Sequence, residues 1–332
     1  MSDRVETKET PSFNQSSVTN QTEVGSTRCD LVDSSVYPFF MIVYSLVFLV
    51  GLLLNGFIIK FYLCQAQPQA SSSIMVYLKN LAAADFLLCL CLPLRIMKYA
   101  SRSVTIHLVH CNFGSIIFYL NMYTSILFMG YIAANRYLKI VHPLGTHILR
   151  TVRGARIIST VTWVCFLTLI SSYVILLVQT QEPLTSTPDV VICGVLYSGR
   201  QKLFYKIMQI CCGTVFIFVL ISLVFFYYST SRRVLAQQRQ SASSSSKKLA
   251  KSHRKMIVLV TVFCFCFVPY HFVRIPSTFL WRNCSWRKVL YYPMETTIIM
   301  SVLNICLDPL IYFLFCKAFR NQLNLRVLSR NS

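Results

Sequence analysis

Between Ser34 and Ile59 the chain runs for 26 residues without a charged side chain. As a helix that stretch is about 39 Å long, more than the roughly 30 Å hydrocarbon core of a bilayer. Buried in lipid, such a segment must satisfy its own backbone hydrogen bonds, which selects a helix over any isolated strand. Further charge-free stretches occupy 103–135, 157–181, 207–231 and 256–273. With two segments interrupted by Asp85 and Asp308, the candidate spans after the first are 74–98, 107–138, 155–178, 201–230, 255–280 and 288–314. The expectation is an all-α membrane protein, a seven-transmembrane helix bundle occupying 37–314. It is preceded by a polar tail over 1–36 and followed by a cytoplasmic segment, 315–332.

Lys and Arg in the connections set the orientation. The segments 138–156 and 231–255 and the tail after Phe313 carry 16 of them and no Asp or Glu. They belong in the cytoplasm, which puts the N-terminus outside, in the plasma membrane. The polar start shows no apolar run of a cleavable signal peptide, so the first span is expected to insert by itself. Three glycosylation sequons, at Asn14, Asn20 and Asn283, fall on the outer side in this topology. Of 14 cysteines, four lie in outer segments: Cys29, Cys111, Cys193 and Cys284. An oxidising compartment suggests two disulfides, with three connectivities open.

The formal charge of +21 first suggests nucleic acid, but only 13% of residues are charged and 55% are hydrophobic, so no nucleic-acid partner is expected. No Gly-rich phosphate loop, hydrolase elbow or metal-spaced His/Cys cluster occurs, so no enzyme or resident metal centre is expected. Intramembrane Asp85 and Asp308 would also suit an ion path. A channel or transporter is disfavoured by the odd span count and the lack of an internal repeat.

Polar groups inside apolar spans are functional candidates by default. They include Asn55, Asp85 in Asn80-Leu-Ala-Ala-Ala-Asp85, Asn135-Arg136-Tyr137 at the inner end of the third span, and Asp308-Pro309-Leu310-Ile311-Tyr312 in the last. The sixth span carries Phe263-Cys-Phe-Cys266-Phe267-Val-Pro269-Tyr. In this order and at these depths the set resembles the rhodopsin-like G protein-coupled receptors, over about residues 37–320. That resemblance implies a pocket for an allosteric sodium ion lined by Asp85, Ser125, Asn304 and Asp308. It implies an activation switch in which Pro269 kinks the sixth span next to Phe263 and Phe267, while Arg136, Tyr228 and Tyr312 rearrange to admit a heterotrimeric G protein, of the inhibitory class. It implies disulfides Cys111–Cys193 and Cys29–Cys284, and a short amphipathic helix seated by Phe319 on the inner membrane lipids. Two features depart from the pattern. The fifth span has no proline, and Asn135 stands where an acidic residue usually precedes the arginine, so ligand-free signalling is expected.

The outer ends hold ten Lys and Arg, within 95–102, 200–206 and 274–288, against Glu182, Asp189 and Glu295. A basic cleft of low dielectric concentrates anions, and guanidinium groups favour phosphate or carboxylate. His271 and Arg274 share one helix face, one turn above Pro269. The run His271-Phe-Val-Arg274-Ile-Pro276 is similar to the ADP-receptor branch of the purinergic nucleotide receptors and its lysophospholipid and platelet-activating-factor relatives. The ligand set expected from this likeness and from the cation cluster is Arg95, Tyr119, Tyr123, Lys202, His271, Arg274 and Glu295. That branch places Lys-Glu at the outer end of the last span, where this chain has Met294-Glu295. One expected phosphate partner is therefore missing, and a lipid carrying one phosphate competes with a nucleotide as the ligand class.

Overall fold

A computed structural model describes residues 34–64, 72–101, 103–143, 145, 147–179, 199–240, 244–280, 284–316 and 319. Seven helices in it are long and apolar enough to cross a membrane: α1 Tyr37–Leu63, α2 Ser73–Ala100, α3 Val104–Val141, α4 Val152–Gln179, α5 Gly199–Arg239, α6 Leu249–Thr278 and α7 Val289–Phe315. Among the described residues there is no strand.

Burial separates the helices by position in the bundle. In the most apolar window of α3, 67% of residues are buried, against 11% in α4. The helix α3 is the central post, and α4 turns most of its surface outward. Exposed leucines, isoleucines and valines on α1, α4 and α5 form the apolar band a lipid-facing surface requires. The α5 span, 41 residues long, reaches about 60 Å, roughly twice the hydrocarbon thickness, so it projects well beyond the membrane.

Proline interrupts α2 at Pro93, α6 at Pro269 and Pro276, and α7 at Pro293 and Pro309. Each removes a backbone N–H that a carbonyl one turn earlier would have accepted. The structure answers one of these losses directly. The carbonyl of Ile305 lies four residues before Pro309, and Asn55 Nδ2 of α1 donates to it at 2.8 Å. The same amide donates to Gly51 O at 3.0 Å. Gly51 permits this approach, since a Cβ there would lie 2.7 Å from Ile305 Cδ1 and 3.1 Å from Cys89 Sγ. Asn55 thus ties α1 to α7 at a point where hydrocarbon offers no other donor.

The α7 helix is broken at Leu303, between Cys284–Val302 and Asn304–Phe315. One π-turn, His110–Gly114, lies within α3. After the last span Phe319 is helical and buried, its ring edge-on to Phe61 at 5.2 Å and Phe57 at 5.6 Å.

Candidate functional site

Buried polar clusters occupy the outer, middle and inner levels of the bundle. In the outer half, α3, α5 and α6 meet at Arg274. Its Nη2 donates to Tyr119 Oη at 3.0 Å, and that hydroxyl is 2.8 Å from Tyr205 Oη. The guanidinium lies 5.2 Å from the Tyr205 ring centroid, and its Nε is buried without a partner. Among the described residues no carboxylate pairs with it. One turn deeper, His271 Nε2 meets Tyr123 Oη at 3.2 Å while its Nδ1 meets the Phe267 carbonyl at 2.8 Å. The imidazole stacks on Phe216 with ring centroids 3.7 Å apart. The structure therefore joins His271 and Arg274 to Tyr123 and Tyr119, four residues apart on the facing side of α3.

Tyr205 and Phe216 are absent from the ligand set expected from sequence. A signal for them exists: Tyr205, Gln209, Cys212 and Phe216 repeat at helical spacing and so share one face of α5. Lys202, a member of the expected set, is exposed at the outer turn of α5 and does not join the cluster.

The second cluster joins α2 and α7. Arg95 Nη2 is 3.1 Å from Glu295 Oε2, and Lys98 Nζ is 3.0 Å from Glu295 Oε1. Arg95 and Glu295 are buried, and the guanidinium lies 5.0 Å from the Tyr44 ring centroid and 5.5 Å from that of Phe118. By sequence alone the outer cations are expected to form one open basic mouth. The structure instead divides them, because Glu295 engages Arg95 and Lys98 while Arg274 rests only on neutral hydroxyls.

An apolar cavity of about 100 Å³ opens between α3, α4 and α5. Tyr119, Tyr123 and Tyr205 form its polar edge, and Leu169, Ile170 and Met208 are among its apolar lining. It therefore adjoins the Arg274 cluster through shared residues.

Near mid-membrane, Asn121 Nδ2 donates to Asp85 Oδ1 at 3.0 Å, and Asn304 Nδ2 to Asp308 Oδ2 at 3.0 Å. Asp85 Oδ2, Asp308 Oδ1, Asn304 Oδ1, Ser125 Oγ and Thr124 Oγ1 are buried without partners. Buried oxygens without a donor are groups that could ligate a cation. On α6, Phe263 and Phe267 are fully buried, ring centroids 5.4 Å apart.

At the inner end, Asn135 Nδ2 donates to Ser73 Oγ at 2.8 Å and to Leu149 O at 2.6 Å. Arg136 lies over the Phe315 ring at 4.7 Å, with Lys255 over the same ring at 5.4 Å. Tyr312 is buried in the bundle, but Tyr228 is 59% exposed, with Arg232 over its ring at 5.8 Å. The structure thus leaves Tyr228 on the outward side of α5 rather than beside Arg136 and Tyr312. Cys111 is disulfide-bonded. Cys29, Cys193, Asn14, Asn20 and Asn283 lie outside the described residues, as does the side chain of Cys284.

Residues 54–312 match the family model described as 7 transmembrane receptor (rhodopsin family). The chain belongs to this family of seven-helix membrane receptors, whose partners are heterotrimeric G proteins. It is 32% identical over 300 residues to purinoceptor 14 of Bos taurus, covering 88% of this chain and 86% of that one. It is 34% identical to "G-protein coupled receptor 87" of Mus musculus, covering 90% and 82%, and 33% identical to purinoceptor 13 of Homo sapiens, covering 90% and 84%.

Proposed function

We propose that this receptor takes an extracellular anionic, phosphate-bearing ligand, with its N-terminus outside and a G protein of the inhibitory class inside. The carrying observation is Arg274, a half-buried guanidinium held between α3, α5 and α6 by neutral phenols. Its uncompensated charge and partnerless Nε suit a phosphate oxygen, for which a guanidinium offers a forked donor. Tyr119, Tyr123 and His271 complete the polar wall. Two relatives bear the name purinoceptor, which supports a nucleotide as the ligand.

The adjoining cavity favours a second reading, a lysophospholipid-type amphiphile. An acyl chain would fill the apolar space between α3, α4 and α5 while its phosphate met Arg274. In either case the ligand biases α6 only through its different affinity for the two arrangements of the bundle. The inner cations and the outer sequons support the orientation. The unmet oxygens around Asp85 and Asp308 support a sodium ion held by Asp85, Ser125, Asn304 and Asp308. That ion would offset the two carboxylates and stabilise the resting arrangement. The disulfide at Cys111 supports a bridge to Cys193.

A panel of nucleotides, nucleotide sugars and lysophospholipids, scored by G protein activation, tests the ligand class. Arg274→Ala is expected to lower the potency of the active compound at least tenfold, and unchanged potency would overturn the phosphate site.

A further inference from the structure

Two cations from different helices lie over one ring, that of Phe315. The guanidinium of Arg136, at the inner end of α3, is 4.7 Å from its centroid, and the ammonium of Lys255, on α6, is 5.4 Å from it. Phe315 is the last helical residue of α7 and is half-buried. Side chains of α3, α6 and α7 therefore meet at a single neutral ring. No Asp or Glu occurs in 65–73, 138–156, 231–255 or 314–332, so these segments bring no carboxylate to the inner face. Asn135 carries no charge, and its amide donates to Ser73 Oγ and Leu149 O. The Nε of Arg136 is buried without a partner. Like charges repel more strongly in a partly buried setting than in bulk water. The face of an aromatic ring carries the negative part of its quadrupole, and it attracts a cation most where water is scarce. Phe315 thus gives both cations a favourable neighbour without adding a charge.

We propose that Phe315 is a positioning residue for G protein activation. Its ring ties Arg136 of α3 and Lys255 of α6 to the end of α7, and so holds the inner ends of the three helices together in the resting receptor. A G protein that enters between these ends parts them, and the ring contacts are lost in the parting. A contact made in one arrangement and lost in the other shifts the balance between the two. The inference needs no identified ligand. It rests on the orientation that puts these helix ends in the cytoplasm.

The test is ligand-free nucleotide exchange on heterotrimers of each class, with cell membranes carrying the full chain. Expression is matched by an N-terminal epitope stained on intact cells, which also reports the orientation separately. Nonsense suppression replaces Phe315 by its mono-, tri- and pentafluorinated analogues, which weaken the quadrupole stepwise at nearly constant size. Exchange is expected to climb along the series, reaching about two- to fivefold above native at the pentafluoro ring, as the loss of one cation–π contact allows. Phe315→Leu is expected to match the pentafluoro ring. In Lys255→Gln the α6 end is already released, so exchange is expected to start higher and to rise less steeply with fluorine. A role in packing alone would not produce that dependence. If Phe315→Leu raises exchange while the fluorine series stays flat, the ring acts by shape and the proposal is overturned. Exchange that falls as fluorine is added overturns it too, as does an undiminished slope in Lys255→Gln or a flat series with every heterotrimer. A slope carried by a heterotrimer outside the inhibitory class corrects the class reading and supports the role of Phe315.

Discussion

Asp85 and Glu295 are both carboxylates buried within the bundle, yet their surroundings differ in kind. Each oxygen of Glu295 meets its own cation, and the Arg95 guanidinium is flanked by aromatic rings. Asp85 shares its region with a second buried acid, Asp308, receives one amide from Asn121, and leaves Oδ2 without a partner. The outer cluster is closed within the protein, whereas the middle one keeps buried oxygens without a partner. A closed cluster holds two helices in register. An open one can be occupied or vacated, and so can respond to conditions.

The largest effect expected from this contrast is on stability. Removing one member of a buried, hydrogen-bonded ion pair leaves an uncompensated charge, at a cost of about 3–5 kcal/mol. Glu295→Ala is therefore expected to lower the apparent unfolding midpoint of the purified receptor markedly. Arg95→Met/Glu295→Met is expected to recover part of that loss, because one of the two orphaned cations disappears with its partner while Lys98 keeps its charge. Equal damage from the single and double variants would mean that the pair matters by packing rather than by charge.

Arg274→Ala comes next, and on function rather than on folding. A hydrogen bond to a charged group contributes about 1.5–3 kcal/mol, so agonist potency is expected to fall about 10- to 100-fold. The unfolding midpoint should move little, since Arg274 is held by neutral phenols and its removal strands no opposite charge. A large stability loss with intact potency would assign Arg274 to the scaffold.

The middle cluster supplies a third, smaller effect. A cation binding the folded state at ten times its Kd adds about 1.4 kcal/mol of stability. Replacing choline chloride by sodium chloride at constant ionic strength is expected to raise the midpoint of the ligand-free receptor. Asp85→Asn and Asp308→Asn should each abolish that increment. A midpoint indifferent to the cation in the native receptor would leave protons as the only means of completing the cluster.

Much of the scaffold was legible in the sequence because hydrocarbon imposes a simple rule. The expected spans 74–98 and 107–138 became Ser73–Ala100 and Val104–Val141. The expected 201–230 became Gly199–Arg239, since helical residues beyond the membrane are polar and hydropathy does not register them. Asp85, Asp308, His271 and Arg274 stood out because ionisable or polar groups in such spans are expensive. The pairing of Arg95 with Glu295, 200 residues away, was not legible. A charge count shows that cations are in excess, but not which of them is already neutralised. Tyr205 and Phe216 were readable as a stripe on α5, but one aromatic stripe among several carries no mark of its partner. The break at Leu303 left no signal that distinguishes it from the prolines around it.

The smallest effect separates restraint from anchoring at the inner end. Asn135 uses its amide to hold α2 at Ser73 and the turn at Leu149, and it brings no negative charge to Arg136. Arg136 and Lys255 of α6 instead both lie over the ring of Phe315, so Arg136 rests on an aromatic ring rather than on a carboxylate. Asn135→Asp introduces that carboxylate and is expected to lower ligand-free G protein activation. Ser73→Ala removes one accepted bond, about 0.5–1.5 kcal/mol, without touching the charge of Arg136. It is expected to lower the unfolding midpoint slightly and leave ligand-free activation near native. If the two variants changed ligand-free activation alike, the anchoring of Asn135 rather than the missing negative charge would set the resting level.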